Sequence, residues 1–192
     1  MQRVSAFKVV LIGDAGSGKT SILNRLISDQ FSESVQPTVG AGYYTWITRN
    51  GENTIKLNIW DTAGQEIYKS VGSIYYRSSQ ACLLVVPHSV PDIDYESLDE
   101  WCSRFREVVG EKIPIIIAAT KSDLKTAESE AKIQAYAISR NLPVFNTSAK
   151  TGHGVLELFE YLSLEIYRLR DSCVFKNVFK CKRCEKCEKC CK

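Results

Sequence analysis

Apolar residues along the chain fall into two alternating kinds of run. Phe7–Gly13 (FKVVLIG), Ala81–Val86 and Pro114–Ala119 are short, nearly unbroken and rich in β-branched residues. That is the pattern of strands buried on both faces. Between them lie segments whose apolar residues recur three and four apart. Lys19–Ser28 carries Ile22, Leu23, Leu26 and Ile27, and Asp94–Val109 carries Leu98, Trp101, Phe105 and Val109. Glu128–Arg140 and Val155–Leu169 repeat the spacing, and all four read as amphipathic helices. Gly42–Arg49 and Thr54–Trp60 alternate with period two about Asn50-Gly51, which predicts a hairpin with both turn residues at positive φ. Pro143–Phe145 completes six strands, interleaved with about five helices. The order predicts an α/β fold, a mostly parallel six-stranded sheet covered by helices on both faces. No internal repeat or long linker interrupts it.

Composition changes this picture only when divided by position. Of 192 residues 44% are hydrophobic and 24% charged, enough apolar surface for a core, which excludes wholesale disorder. The net charge of +3 is uneven: residues 1–170 hold 18 basic and 19 acidic side chains, residues 171–192 hold 7 and 3. Six of the eight cysteines fall in the last 20 residues. The expected organisation is a globular domain over 1–170 and a flexible basic, cysteine-rich tail over 171–192. A near-neutral body gives no reason to expect a nucleic-acid partner. The longest apolar runs, Ala81–Pro87 and Ile113–Ala119, are seven residues each, against roughly 20 needed to span a bilayer. The start lacks the apolar stretch of a signal peptide and has Gln2 where N-myristoylation needs glycine. A reducing cytosol is therefore expected, with no disulfide framework.

The first chemical motif is Gly13-Asp14-Ala15-Gly16-Ser17-Gly18-Lys19-Thr20, which fits G-x-x-x-x-G-K-[ST] between a strand and a helix. Glycines let successive backbone N–H groups turn inward around phosphate oxygens, and the helix N-terminus adds partial positive charge. The expected phosphate cradle is Asp14, Ala15, Gly16, Ser17, Gly18, Lys19, Thr20 and Ser21. Lys19 would reach the β- and γ-phosphates, and the Thr20 hydroxyl would serve Mg²⁺. Trp60-Asp61-Thr62-Ala63-Gly64-Gln65 follows another strand. Taken alone this is a plausible helix N-cap. After a phosphate loop, Asp61 becomes the second acidic Mg²⁺ partner, Gly64 a backbone donor to the γ-phosphate, and Gln65 the catalytic residue that orients the attacking water.

With these motifs in place, residues 7 to about 168 resemble the G domain of the Ras superfamily of small GTPases, most closely the Rab branch. The resemblance implies a guanine-nucleotide-dependent switch that hydrolyses GTP slowly, with Mg²⁺ as cofactor and GTP or GDP as ligand. Pro37-Thr38 matches the first switch, where the family's Thr serves both Mg²⁺ and the γ-phosphate. Phe31 matches the aromatic packed on the guanine ring. Thr120-Lys121-Ser122-Asp123 stands at the family's Asn-Lys-x-Asp, and Ser148-Ala149-Lys150 at its Ser-Ala-Lys. The base chemistry is consistent with this. Asp123 offers two acceptor oxygens to the N1–H and N2–H₂ donors of guanine, a pair adenine lacks. Ala149 can donate its backbone N–H to O6, and Lys150 packs its stem over the base region.

Several positions depart from the family pattern. Thr120 replaces Asn, and one hydroxyl holds fewer contacts than an amide. Thr120→Asn is expected to slow GDP release by about one hydrogen bond's worth, ~1 kcal/mol; an unchanged off-rate would refute this. Ala15 stands where many relatives have Gly or Ser, but a methyl group is small, so with Gln65 present unaided hydrolysis on the order of 10⁻⁴ s⁻¹ is expected, with a partner's arginine finger needed for useful turnover. Val39–Tyr43 and Val86–Ser89 also differ from the Rab consensus. Tyr43, Trp60 and Tyr75 resemble the aromatic triad that Rab effectors read, although aromatics in such positions are also ordinary core residues. His88 and His153 belong to no recognisable catalytic constellation.

The tail ends Cys181-x-x-Cys184-x-x-Cys187-x-x-Cys190-Cys191-Lys192. A C-a-a-X box would need cysteine at Lys189 and is absent. Cys190 and Cys191 instead resemble the doubly geranylgeranylated Rab terminus, and two lipids with basic residues anchor firmly. Zn²⁺ or iron–sulfur binding by the repeated C-x₂-C spacing, and an inert tail, are the alternatives. The reading implies a monomer on the cytosolic face of an internal or plasma membrane, with a soluble cytosolic pool. Its partners would be an exchange factor, a GTPase-activating protein, a GDI-type escort and effectors of vesicle trafficking. Two other classes remain: a non-cycling guanine-nucleotide-binding scaffold, which GTP turnover no higher than that of a Gln65→Leu control would favour, and a small P-loop kinase or ATPase, for which lid arginines are missing.

Overall fold

The computed structural model describes residues 4–64, 69–89 and 94–171. The candidate catalytic Gln65 and the candidate lipidation sites Cys190 and Cys191 lie outside the described residues. Six strands form one sheet in the order β2-β3-β1-β4-β5-β6: β1 (Val4–Ile12), β2 (Ala41–Asn50), β3 (Asn53–Thr62), β4 (Ala81–Pro87), β5 (Ile115–Thr120) and β6 (Val144–Asn146). Only β2 and β3 are antiparallel; β1 pairs in parallel with β3 and β4, and β5 with β4 and β6. The helices are α1 (Lys19–Ser28), α2 (Lys69–Tyr76), α3 (Tyr95–Val109), α4 (Ala127–Arg140) and α5 (Val155–Asp171). The sheet is mostly parallel and helix-covered, as the alternation of patterns predicts.

Side chains that alternate along the strands build two cores. Phe7, Val9 and Leu11 of β1 face α1 and α5, where Ile22, Leu23, Leu158, Phe159 and Leu162 are buried. Val10 and Ile12 face the opposite way, onto Leu98, Trp101 and Phe105 of α3 and Ile133 and Tyr136 of α4. This two-sided burial is why β1, β4 and β5 read as continuous apolar runs rather than alternating ones.

Three boundaries differ from the sequence reading for identifiable reasons. Asn50 remains in β2 and pairs with Asn53, so the hairpin loop is Gly51-Glu52. Of its two residues only Gly51 has positive φ (57°), so the turn is not the Asn50-Gly51 turn predicted. Glycine in the first turn position with an ordinary second residue is the II′ arrangement. Strands β5 and β6 each begin one residue late, because Pro114 and Pro143 lack an N–H for the ladder. Their carbonyls still accept, from Cys82 N and Ile117 N.

The parallel strands carry their C-terminal ends to one edge. The loops after β1, β3, β5 and β6 therefore converge there, the position at which open α/β sheets bind ligands.

Candidate functional site

The turn from β1 into α1 has three glycines at positive φ: Gly13 (135°), Gly16 (72°) and Gly18 (99°). At Gly13 the need is doubled, since a Cβ would lie 2.5 Å from the Val85 carbonyl oxygen of β4. No side chain fits, so this residue lets the loop pass over the sheet edge.

Lys19 is only 6% exposed. Its Nζ donates to the Gly13 and Asp14 carbonyls (2.8 Å each) and to Ser17 Oγ (3.2 Å). Three acceptors for three N–H bonds hold the ammonium at the loop's centre. Burial lowers its pKa to about 8, against the opposing pull of Asp61 and Asp14.

Thr20, Thr38 and Asp61 come together although 18 to 41 positions separate them along the chain. Thr20 Oγ1 donates to Asp61 Oδ2 (2.6 Å) and lies 3.0 Å from Thr38 Oγ1; Thr38 Oγ1 also donates to Oδ2, at 3.4 Å. Asp61 is 1% exposed, and its Oδ1 is buried without a hydrogen-bond partner. Burial raises its pKa, while the two threonine hydroxyls and Lys19 pull it down. An unpartnered buried carboxylate oxygen beside two hydroxyls is an all-oxygen donor set, the kind a hard divalent cation such as Mg²⁺ takes. The residues fit the ion.

Beyond the loop extends a cavity of about 490 Å³. One end is lined by Ala15, Gly16, Gly18, Lys19, Thr20 and Ser21, with Thr38 and Gly64 beside them; the other by Phe31, Thr120, Lys121, Asp123, Ala149 and Lys150. Of the remaining candidates, Asp14 and Ser17 belong to the loop behind the lining, and Ser148 stands behind Asp123, donating its Oγ to Asp123 Oδ1 at 2.5 Å. Thr120 closes the middle: its hydroxyl donates to the Ser17 carbonyl, tying the end of β5 to the phosphate loop. The replacement of Asn therefore keeps a tie to that loop.

A model of the Ras family matches residues 8–168. Over 163 residues the chain is 39% identical to the GTP-binding protein ypt5 of Schizosaccharomyces pombe, an alignment covering 83% of this chain and 77% of that one. It is 34% identical over 182 residues to the Ras-related protein RABG3d of Arabidopsis thaliana, covering 90% and 82%. With Ras-related protein Rab-7a of Dictyostelium discoideum it shares 32% over 175 residues, covering 88% and 86%. The chain belongs to the Ras family. It is a Rab-like small GTPase, an enzyme that hydrolyses GTP to GDP and phosphate.

Several features of the GTPase site carry no local signal in the sequence. Asp14 Oδ1 accepts from Trp101 Nε1 (2.8 Å) and Ser97 Oγ (3.0 Å), so α3 holds the phosphate-loop carboxylate. Trp101 reads as a core residue from its spacing, and it is one; its polar edge has this second use. His88 is 3% exposed, with Nδ1 3.0 Å from Ser129 Oγ and Nε2 2.9 Å from Asn146 Oδ1. It joins the end of β4 to the capping box of α4 and to β6, a constellation that only tertiary contact creates. Arg25 Nε donates to the Ala149 carbonyl at 2.7 Å, across 124 positions.

Tyr43, Trp60 and Tyr75 of the GTPase form one aromatic row. Tyr43 meets Trp60 edge-on at 5.5 Å, and Trp60 meets Tyr75 at 5.7 Å. The first pair are opposite partners in the β2–β3 register, and Tyr43 is 55% exposed.

Proposed function

We propose that this GTPase is a guanine-nucleotide-dependent switch with slow intrinsic hydrolysis, acting in vesicle trafficking from the cytosolic face of a membrane. The observation that supports it is the single cavity with the phosphate loop at one end and Asp123 and Ala149 at the other. A guanine nucleotide laid along it would meet donors for its phosphates and acceptors for its base. Lys19 and the loop N–H groups would bind the β- and γ-phosphates. Phe31 would stack on the base, Asp123 accept from N1–H and N2–H₂, and Ala149 N–H donate to O6. Thr20, Thr38 and Asp61 would hold Mg²⁺, which neutralises phosphate charge when bound. Thr38 and Gly64 would each reach the γ-phosphate, so its presence would order both flanking segments and its loss release them. Gln65 would orient the water.

The aromatic row, in this reading, is the face an effector reads; an exchange factor, an activating protein and a GDI-type escort are the remaining partners. Among the described residues no helix is long and apolar enough to cross a membrane. Membrane residence is accordingly assigned to lipids on Cys190 and Cys191, with the basic tail as a second attraction and a soluble escorted pool. The domain boundary would fall near residue 170, leaving a tether with an r.m.s. reach of roughly 25 Å.

Base selection tests the nucleotide part. Asp123→Asn turns one acceptor oxygen into an N–H₂ donor, which repels the guanine amine but suits the C2 oxygen of xanthine. GDP affinity should fall about 100-fold and XDP should become the preferred ligand, on loss of charge-assisted bonds of ~1.5–3 kcal/mol. Unchanged preference in a competition assay would reject the assignment. The tail is tested separately by mass spectrometry of the C-terminal peptide from native cells. Two isoprenoids on Cys190 and Cys191 are expected, whereas free thiols holding zinc would reject the anchor.

A further inference from the structure

The helix that begins at the phosphate end of the cavity also reaches the base end. Arg25, in the seventh position of α1, lays its guanidinium against the segment that carries Ala149. Nε donates to the Ala149 carbonyl at 2.7 Å and Nη2 to the Lys150 carbonyl at 3.1 Å, so one planar fork holds two consecutive peptide units. The fork is itself fixed. Nη1 donates to the Asp29 carbonyl (2.9 Å) and carboxylate (2.7 Å), and Asp29 ends α1 in the left-handed conformation with φ 54°.

The remaining peptide unit of this segment is held from the other side. The Ser148 carbonyl accepts from Gly152 N at 2.8 Å. In a trans peptide the carbonyl and the following N–H point in opposite directions. The Ser148–Ala149 unit thus has its carbonyl anchored at Gly152 and its N–H turned the other way, while Arg25 pins the next two units. With the units on both sides of the Ala149 Cα fixed, that N–H has little freedom to turn.

We infer that Arg25 is a positioning residue for base recognition: its fork holds the Ala149 and Lys150 carbonyls so that Ala149 N–H is aimed at the guanine O6. The inference rests on the nucleotide reading above and goes beyond it. It makes α1 one rigid ruler, about 15 Å long for ten residues, that sets the phosphate grip and the base grip at a fixed distance.

The test compares two diphosphates, GDP and the 2-aminopurine riboside 5′-diphosphate, which keeps the N2 amine but has neither O6 nor N1–H; the missing N1–H is the same for every variant, so the comparison between variants isolates O6. Release of each is timed from the wild-type protein and from Arg25→Ala, Arg25→Gln and Arg25→Lys. Arg25→Ala should speed GDP release about tenfold, equivalent to ~1.4 kcal/mol, and change release of the analogue by less than about twofold. Arg25→Gln, with one amide donor group, should fall between. Should Arg25→Ala fail to fold, Arg25→Lys, which keeps the charge and stem but not the fork, supports the same comparison. Equal acceleration of both nucleotides would mean a general structural role and overturn the inference, as would no acceleration of GDP. A wild-type protein that releases GDP and the analogue at the same rate would show that O6 is not read at all, and would defeat the base-site reading before the role of Arg25.

Discussion

Lys19→Ala should lower the affinity for GTP by about two to four powers of ten and that for GDP, which has no γ-phosphate, by about one to two. The wild-type ammonium sits at the centre of the phosphate loop, with its three donors on Gly13 O, Asp14 O and Ser17 Oγ. Phosphate oxygens compete for those donors with full negative charge, and each charge-assisted bond is worth ~1.5–3 kcal/mol. Two such bonds to the β- and γ-phosphates give about 3–6 kcal/mol, at 1.4 kcal/mol per tenfold. Dissociation constants from nucleotide association and release rates check the number, and a change smaller than tenfold would remove Lys19 from the phosphate site. The fold should survive, because burying this ammonium is unfavourable enough to bring its pKa down to about 8. That shift sets the sign of a pH effect. Bound phosphate raises the pKa again, so affinity is complete below pH 8 and weakens as pH rises through about 8 in the nucleotide-free protein. The alanine variant should lack this dependence.

Gly64→Ala should cut single-turnover GTP hydrolysis by about 100-fold while changing GDP affinity less than about threefold. A Cβ at Gly64 would lie 2.5 Å from the Asp14 carbonyl carbon and 2.6 Å from Ala15 N. Both are backbone atoms of the phosphate loop, so no rotamer change relieves the clash. The segment after β3 must lift away, taking with it the Gly64 N–H and the adjoining Gln65. A misplacement of about 1 Å in a positioned reaction costs on the order of 100-fold. GDP has no γ-phosphate for Gly64 N–H to meet, and the loop, tied by Lys19 and Thr120, should keep its place while the segment after β3 lifts. Hydrolysis within about threefold of wild type would show that this close approach has no part in the reaction.

Part of this site is legible residue by residue. The glycine spacing of 13–18, between an apolar strand and a helix, specifies a loop whose backbone N–H groups can turn inward, and Lys19-Thr20 follows it directly. Asp61 and Asp123 are legible because Asp61 follows the alternating strand Thr54–Trp60 and Asp123 lies just beyond the apolar run Pro114–Ala119, and parallel strands put those ends on one edge. The turn at Gly51 misleads by one residue, because Asn-Gly favours one hairpin turn while the register closes another. His88 and Arg25 give no local signal. Their distant partners are Ser129, Asn146, Ala149 and Lys150, and contacts of that span are set by how helices settle on the sheet, not by any nearby pattern.

The amino-acid sequence alone determined the types and order of the elements, the two-faced burial of β1, β4 and β5, and the chemistry available at each strand end. These follow from side-chain periodicity and from backbone requirements that act over a few residues. Tertiary structure alone decided which polar groups meet. Thr20 and Thr38 converge on the Asp61 carboxylate, Thr120 ties β5 to the Ser17 carbonyl, and Arg25 spans from α1 to Ala149. Such contacts arise when desolvation leaves buried donors and acceptors no alternative but each other, and that constraint exists only once the two cores have closed around the sheet.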